Sequence, residues 1–203
     1  MRLVLASASP RRAELLRAAG YAFEILAVDL DERVHGGEAP EAYVARLARD
    51  KAGAAMQRFE ERAQRSCHGP ERSSLDELIV LGADTAVVVD GTILGKPRDD
   101  GDAAAMLAAL SGRRHDVLTG VSLRSLAGER QLVEATGVYM SVLTADDIAW
   151  YLRSGEGRDK AGGYAVQGLA SRFVTRIEGS YSNVVGLPIA TVSALLRELA
   201  SRG

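Results

Sequence analysis

Short apolar runs separated by polar punctuation set out the elements of this chain. Leu3-Val4-Leu5-Ala6 is a continuous apolar run that stops at Ser7-Ala8-Ser9, the pattern of a buried strand running into a turn. Residues 10–19 predict a helix: Pro10 suits a first helical position, and Gly20 suits the turn after a last one. Ser9 stands where a hydroxyl can cap that helix. Residues 23–28 predict a second strand, followed by the acidic group Asp29, Asp31 and Glu32. From Glu38 to about Met56 the pattern is helical. Val44, Leu47, Ala48 and Lys51 fall at i, i+3, i+4 and i+7, which puts a lysine in register with the apolar stripe. Residues 57–76 are polar, contain Gly69-Pro70, and predict an extended helix end plus a surface loop.

The second half continues the alternation. Leu78 to Leu81 predicts a strand buried on both faces, ending in Gly82-Ala83-Asp84-Thr85. Residues 86–89 carry it on to a hairpin turn at Asp90-Gly91. Residues 102–110 predict a helix, and 117–126 and 130–143 paired strands. Thr144 and Asp147 have capping-box spacing ahead of a helix with Ile148, Tyr151 and Leu152 on its apolar face. A glycine-rich stretch at 157–168 precedes a strand at 173–177, a polar loop at 179–183 and a last amphipathic helix at 189–199. Strands alternating with helices, plus hairpins, predict an α/β fold with a mixed central sheet flanked by helices. Residues 1–203 form a single domain in two lobes on this reading.

Composition narrows the function. With 47% apolar residues among 203, the chain can build a real core. A net charge of −2 is too little positive charge to hold a nucleic-acid polymer over a long footprint, so a monomeric nucleotide is the better match. One cysteine, Cys67, excludes an internal disulfide and fits a reducing compartment. No signal-peptide layout and no membrane-length apolar run are present, which reads as cytoplasmic with no membrane partner.

The candidate chemistry clusters at strand ends. Arg11 and Arg12 fall in the first turn of a helix, where the dipole disfavours cations. They read either as solvated surface arginines or as partners of an arriving phosphate chain. Asp84, beyond a buried strand, is placed either to hold a divalent metal or water, or merely to start a turn. Glu32 alone reads as a loop carboxylate, but with Asp84 it supplies two oxygen ligands for Mg²⁺. Lys51 is either a snorkelling lysine or part of a polyanion site with Lys96 and Lys160, and Lys160 could also pair with Asp159. Gln167 offers donors and an acceptor that suit a base edge or a loop backbone equally. His35, His68 and His115 sit in polar contexts and predict surface roles. No G-x-S-x-G, P-loop or H-E-x-x-H pattern occurs.

Taken in order, Ser7 to Arg12, Ala48-Arg49-Asp50-Lys51-Ala52, Gly82-Ala83-Asp84-Thr85, Gly95-Lys96-Pro97, Leu110-Ser111-Gly112 with Val117-Leu118-Thr119-Gly120, Asp159-Lys160-Ala161-Gly162 and Gln167-Gly168 resemble the Maf family of nucleotide pyrophosphatases. The ending Gly179-Ser180-Tyr181-Ser182-Asn183-Val184-Val185-Gly186-Leu187-Pro188 is similar to the subgroup acting on dTTP and UTP. The resemblance implies a fold related to the inosine triphosphate pyrophosphatases, with a cleft between two lobes. It implies hydrolysis of a nucleoside triphosphate to monophosphate and pyrophosphate with a divalent cation, Mg²⁺ or Mn²⁺. By resemblance Asp84 is the proton acceptor, and Arg11, Thr85 and Gln167 are specificity positions. Ser7, Arg12, Lys51, Lys96 and Lys160 fall to phosphate, and Glu32 with Asp84 to metal. The rival readings are a nucleotide-binding regulator of cell division and a 7-methyl-GTP-type pyrophosphatase. Residues 57–76 depart from the family by their length, and Gly157 by standing where a proline is expected. The oligomeric state stays open, with a homodimer as the assembly to test.

Overall fold

The computed structural model describes residues 1–65 and 73–200, so Cys67, His68 and the rest of residues 66–72, the middle of the polar stretch at 57–76, lie outside it. The chain opens with strand β1 (Arg2–Ala6), helix α1 (Pro10–Ala18) and a two-residue strand β2 (Glu24–Ile25). The long helix α2 (Pro40–Arg65) and a short turn of helix α3 (Ser73–Asp76) precede strand β3 (Leu78–Val89), hairpin partner β4 (Thr92–Leu94) and helix α4 (Asp100–Leu110). Strands β5 (Arg114–Ser125) and β6 (Gly128–Met140), helix α5 (Ala145–Ser154), strand β7 (Val174–Glu178) and helices α6 (Tyr181–Val185) and α7 (Ile189–Ala200) complete it. The sheet runs β2-β1-β3-β5-β6-β7, with β4 paired to β3. It is mixed: β1 is parallel to β2 and β3, while β4 and β7 are antiparallel to their neighbours.

Residues divide into two compact units. The first holds the described residues of Met1–Asp84, Thr119–Glu134 and Gly186 onward; the second holds Thr85–Leu118 and Ala135–Val185. In the first unit β1 alternates between two cores, as period-2 side chains must. Leu3 and Leu5 pack with Leu16 of α1 and Val192 and Leu196 of α7. Val4 and Ala6 pack on the other face with Ala52, Ala55 and Met56 of α2. In the second unit Val87, Leu107, Leu110, Val117, Val138, Tyr151 and Phe173 form the core. There the Tyr151 and Trp150 rings each meet Phe173 edge-on.

Local signals explain most element ends. Thr144 and Asp147 make a complete capping box, and Gly155 ends α5 in the left-handed conformation. The Asp99 side chain accepts from the Asp102 amide at 2.8 Å, so α4 starts two residues earlier than its apolar pattern. Asp90 and Gly91 both take positive φ in the hairpin turn. The strand expected at 23–28 shrinks to Glu24–Ile25, because Leu26 and Val28 leave the sheet edge to pack against the α2-side core. The polar loop expected at 179–183 instead starts α6. Ser180 Oγ accepts from the Asn183 amide at 3.2 Å, and the buried Asn183 side chain donates to Val117 O and Thr136 Oγ1. His115 was expected at the surface and is buried, its Nε2 2.8 Å from Tyr164 Oη. Burial lowers its pKa to about 4, which keeps the ring neutral.

Candidate active site

In the first unit, β1 delivers the chain to Ser7, which is buried just past the strand end. The expected Ser9 side-chain cap on α1 is not made. Ser7 Oγ instead accepts from the Ser9 amide at 3.2 Å and from Arg12 Nη1 at 3.1 Å, tying the turn to the helix. The Arg12 side chain turns inward rather than out to water. Its Nε donates to Gly186 O and its Nη1 to Ala83 O, each at 2.8 Å. Burial pulls the guanidinium pKa down, and the nearby Asp84 charge opposes that shift. Arg11, half-buried beside it, adds a second positive charge to the same turn.

Two glycines bring α2 against the sheet. A Cβ on Gly82 of β3 would lie 2.1 Å from Ala48 O, and one on Gly120 of β5 would lie 2.2 Å from Val44 O. Helix backbone therefore rests on strand backbone, a distance only glycine permits. The apolar stripe Val44, Leu47, Ala48, Ala52 faces inward, and Lys51 in that register is buried as well. Its ammonium reaches Asp84 Oδ1 at 2.7 Å and Glu32 Oε1 at 2.6 Å. Asp84 is 7% exposed, whereas the Glu32 side chain is nearly half exposed.

The loop carrying Glu32 has no regular structure and is fastened by α2. Tyr43 Oη donates to Glu32 O at 3.0 Å, and Arg46 donates to Arg33 O at 3.0 Å. Arg46 also grips Glu38 at 2.6 and 2.8 Å, and its hydrogen bonds hold the Glu38 carboxyl down at about 2. Burial, helped by the charges of Asp84 and Glu32, pushes the Tyr43 phenol up to about 12. Neither Tyr43 nor Arg46 stood out in the sequence. Both flank the apolar stripe of α2, and only the path of the 29–38 loop shows what they hold.

The second unit carries the remaining candidates. Thr85 follows Asp84 in β3 and is half-buried; Lys96 lies exposed beyond β4. The Gly95 carbonyl beside Lys96 accepts from the Gly162 amide at 3.0 Å, which makes the segments of Lys96 and Lys160 neighbours. Lys160 Nζ donates to Asp159 Oδ1 at 2.6 Å, the internal pairing its sequence allows, and to Glu156 O at 2.5 Å. Gln167 is exposed on the turn that follows. Thus Ser7 and Arg12 form one cluster, and Glu32, Lys51 and Asp84 another beside it. Lys96, Lys160 and Gln167 sit on adjoining segments of the second unit.

The donor chemistry fits a hard divalent cation in one respect. Glu32 and Asp84 bring two carboxylates to a single positive centre, the Lys51 ammonium. Among the described residues no group of three or more His, Cys, Asp or Glu is placed to hold a metal, so protein ligands alone do not complete a shell. No helix among them is long and apolar enough to cross a membrane.

Sheet order defines an α/β protein with a mixed central sheet, and its relatives make the class specific. Residues 2–199 match the model of the Maf-like protein family, and the chain belongs to that family. A dTTP/UTP pyrophosphatase of Anaeromyxobacter dehalogenans is 50% identical over 200 residues, covering 97% of this chain and 93% of that protein. Those of Methylobacillus flagellatus and Vibrio cholerae are 48% and 45% identical, each over 97% of this chain, and over 92% and 97% of their own lengths. The solved structure of the Staphylococcus aureus Ham1 protein shares the fold, with a TM-score of 0.52 over 98% of this chain and 99% of that one, at 13% identity.

Proposed function

We propose that this protein hydrolyses dTTP and UTP to the nucleoside monophosphate and pyrophosphate. The observation that carries the reading is a buried carboxylate, Asp84, beside two buried cations, Lys51 and Arg12, in a chain about half identical to dTTP/UTP pyrophosphatases. Water attacks the α-phosphorus, and its proton passes to Asp84. The bond from that phosphorus to the bridging oxygen breaks, and pyrophosphate leaves. Lys51 fixes one oxygen of Asp84 and leaves the other for the water. Arg12, Lys51, Lys96 and Lys160 neutralise charge on the phosphate chain, with Ser7 holding Arg12 and the turn in place. This is catalysis by positioning and electrostatics, as phosphoryl transfer requires. A divalent cation, Mg²⁺ or Mn²⁺, would be held by Glu32 and Asp84 and would supply further charge neutralisation on the phosphates. Arg11, Thr85 and Gln167 select the base. The working partner is a free nucleotide in the cytoplasm rather than a nucleic-acid polymer, in keeping with the net charge of −2. Whether the active form is a homodimer is read by light scattering of the purified protein.

The test is a panel of nucleoside triphosphates with pyrophosphate detection, with and without chelator. dTTP and UTP lead ATP, GTP and 7-methyl-GTP, and chelator stops the reaction. Asp84→Asn lowers turnover by about 100-fold or more, the usual span for losing a positioned base. Near-normal turnover of that variant with saturating Mg²⁺ overturns the assignment. Faster cleavage of 7-methyl-GTP overturns the pyrimidine preference.

A further inference from the structure

Glu156 lies between the end of α5 and the glycine-rich stretch, and its carboxylate is engaged on three sides. Oε2 accepts from Tyr151 Oη at 2.8 Å and from the Ala170 amide at 3.4 Å; Oε1 accepts from the Leu169 amide at 2.9 Å. Tyr151, fully buried in the second unit's core, also accepts from the Ala165 amide at 3.1 Å. Between these anchors runs the turn Ala165-Val166-Gln167-Gly168, closed by the Gly168 amide on Ala165 O at 3.1 Å. A Cβ on Gly168 would lie 2.0 Å from Glu156 Oε1, so the carboxylate reaches the amides beyond only because residue 168 is glycine. The exposed Gln167 thus stands on a turn that one tyrosine–carboxylate pair fastens at both ends. The rim of the core supplies the rigid end of this device, since the Tyr151 ring stacks edge-on against Phe173.

We propose that Tyr151 and Glu156 are positioning residues that set where Gln167 presents its amide and so govern base selection. The proposal rests on the reading above, in which Gln167 meets the base. Glu156 touches no substrate on this account; it acts through the turn. A side-chain amide that must hydrogen-bond a base edge discriminates only if its backbone is held, because a shift of about 1 Å can cost on the order of 100-fold. Selection by buried hydrogen bonds is the kind that such a shift degrades most.

The experiment compares full-length wild type with Glu156→Ala, Glu156→Gln, Tyr151→Phe, Gln167→Ala and the double variant Glu156→Ala/Gln167→Ala. For each, kcat/KM is measured with dTTP, UTP, CTP and GTP. Amide hydrogen exchange at Leu169 and Ala170 is followed in parallel. Glu156→Ala is expected to lower kcat/KM for dTTP and UTP roughly 10- to 100-fold, while CTP and GTP change little, so discrimination narrows. Glu156→Gln and Tyr151→Phe keep the volume and restore part of it. In the Gln167→Ala background, Glu156→Ala adds less than about twofold. The Leu169 and Ala170 amides exchange faster in Glu156→Ala. An equal loss for all four nucleotides, or fully additive losses in the double variant, overturns the positioning role. Unchanged exchange at Leu169 and Ala170 overturns the clamp itself. A wild type with no preference for dTTP and UTP overturns the underlying functional reading, a result told apart from the others because the exchange data do not depend on substrate.

Discussion

Replacing Lys51 with methionine removes the ammonium that joins Asp84 to Glu32 and keeps most of the side-chain volume. Lys51 and Asp84 are about nine-tenths buried and 2.7 Å apart. Truncating one partner of such a pair costs about 3–5 kcal/mol, because the other charge is left desolvated. Two features place this case at the lower end. Arg12 remains near Asp84 and screens part of the orphaned charge. The bond to the half-exposed Glu32 contributes no more than about 1 kcal/mol, as surface pairs do. We expect a loss of about 3 kcal/mol for Lys51→Met and about 2 kcal/mol for Asp84→Asn. Removing both charges leaves neither member of this pair buried without the other, so the double variant is expected to lose about 2–3 kcal/mol, well short of the sum. Urea unfolding followed by circular dichroism reads these values as midpoints. At a slope of about 3 kcal/mol per molar, Lys51→Met shifts the midpoint by about 1 M. If the single losses add to within about 0.5 kcal/mol in the double variant, the two groups do not interact as described and the reasoning is refuted.

Acid stability and helix seating give two further tests. His115 is held neutral by burial, with its pKa lowered to about 4 against the ordinary 6.5. Between those values the unfolded chain takes up a proton that the folded one refuses. Stability is therefore fully present above about pH 6.5 and declines as pH falls toward 4, by up to about 3 kcal/mol at 1.36 kcal/mol per pKa unit. His115→Phe should flatten the part of the urea-midpoint profile between pH 7 and 5 that this group supplies, and superimposable slopes for wild type and variant count against it. Gly82→Ala drives a methyl to within 2.1 Å of Ala48 O. It should cost at least 1–3 kcal/mol as overpacking, and lower kcat/KM by moving Lys51 off Asp84. A variant of unchanged stability and activity would show that α2 is not seated on the strand.

The sequence made the site legible where local chemistry was decisive. Asp84 stood out because a carboxylate followed an unbroken apolar run, although β3 (Leu78–Val89) carries on through it and places it within the strand rather than beyond its end. Lys51 stood out because it broke an apolar stripe at helical spacing. What escaped was set by distant partners. The residues on α2 that hold the Glu32 loop look like ordinary helix-surface positions, since their acceptors are backbone carbonyls of another segment. Glu156 was not singled out, because its two amide donors lie thirteen and fourteen residues further on. His115 was misread from its charged neighbours, although it alternates with them along β5: Arg114 faces out, His115 in, and Val117 in again. Ser9 had the right residue type for a cap but makes no side-chain cap bond; the hydroxyl that ties this turn together is that of Ser7, which accepts from the Ser9 amide and from Arg12.

The inward path of Arg12 bears on when this part of the fold can be completed during synthesis. Its two main-chain acceptors, Ala83 and Gly186, lie 71 and 174 residues further along the chain. A nascent polypeptide that has already formed β1, α1 and α2 still lacks the second acceptor until residue 186 has cleared the ribosome. The turn from Ser7 to Arg12 is therefore among the first stretches translated and among the last to be locked.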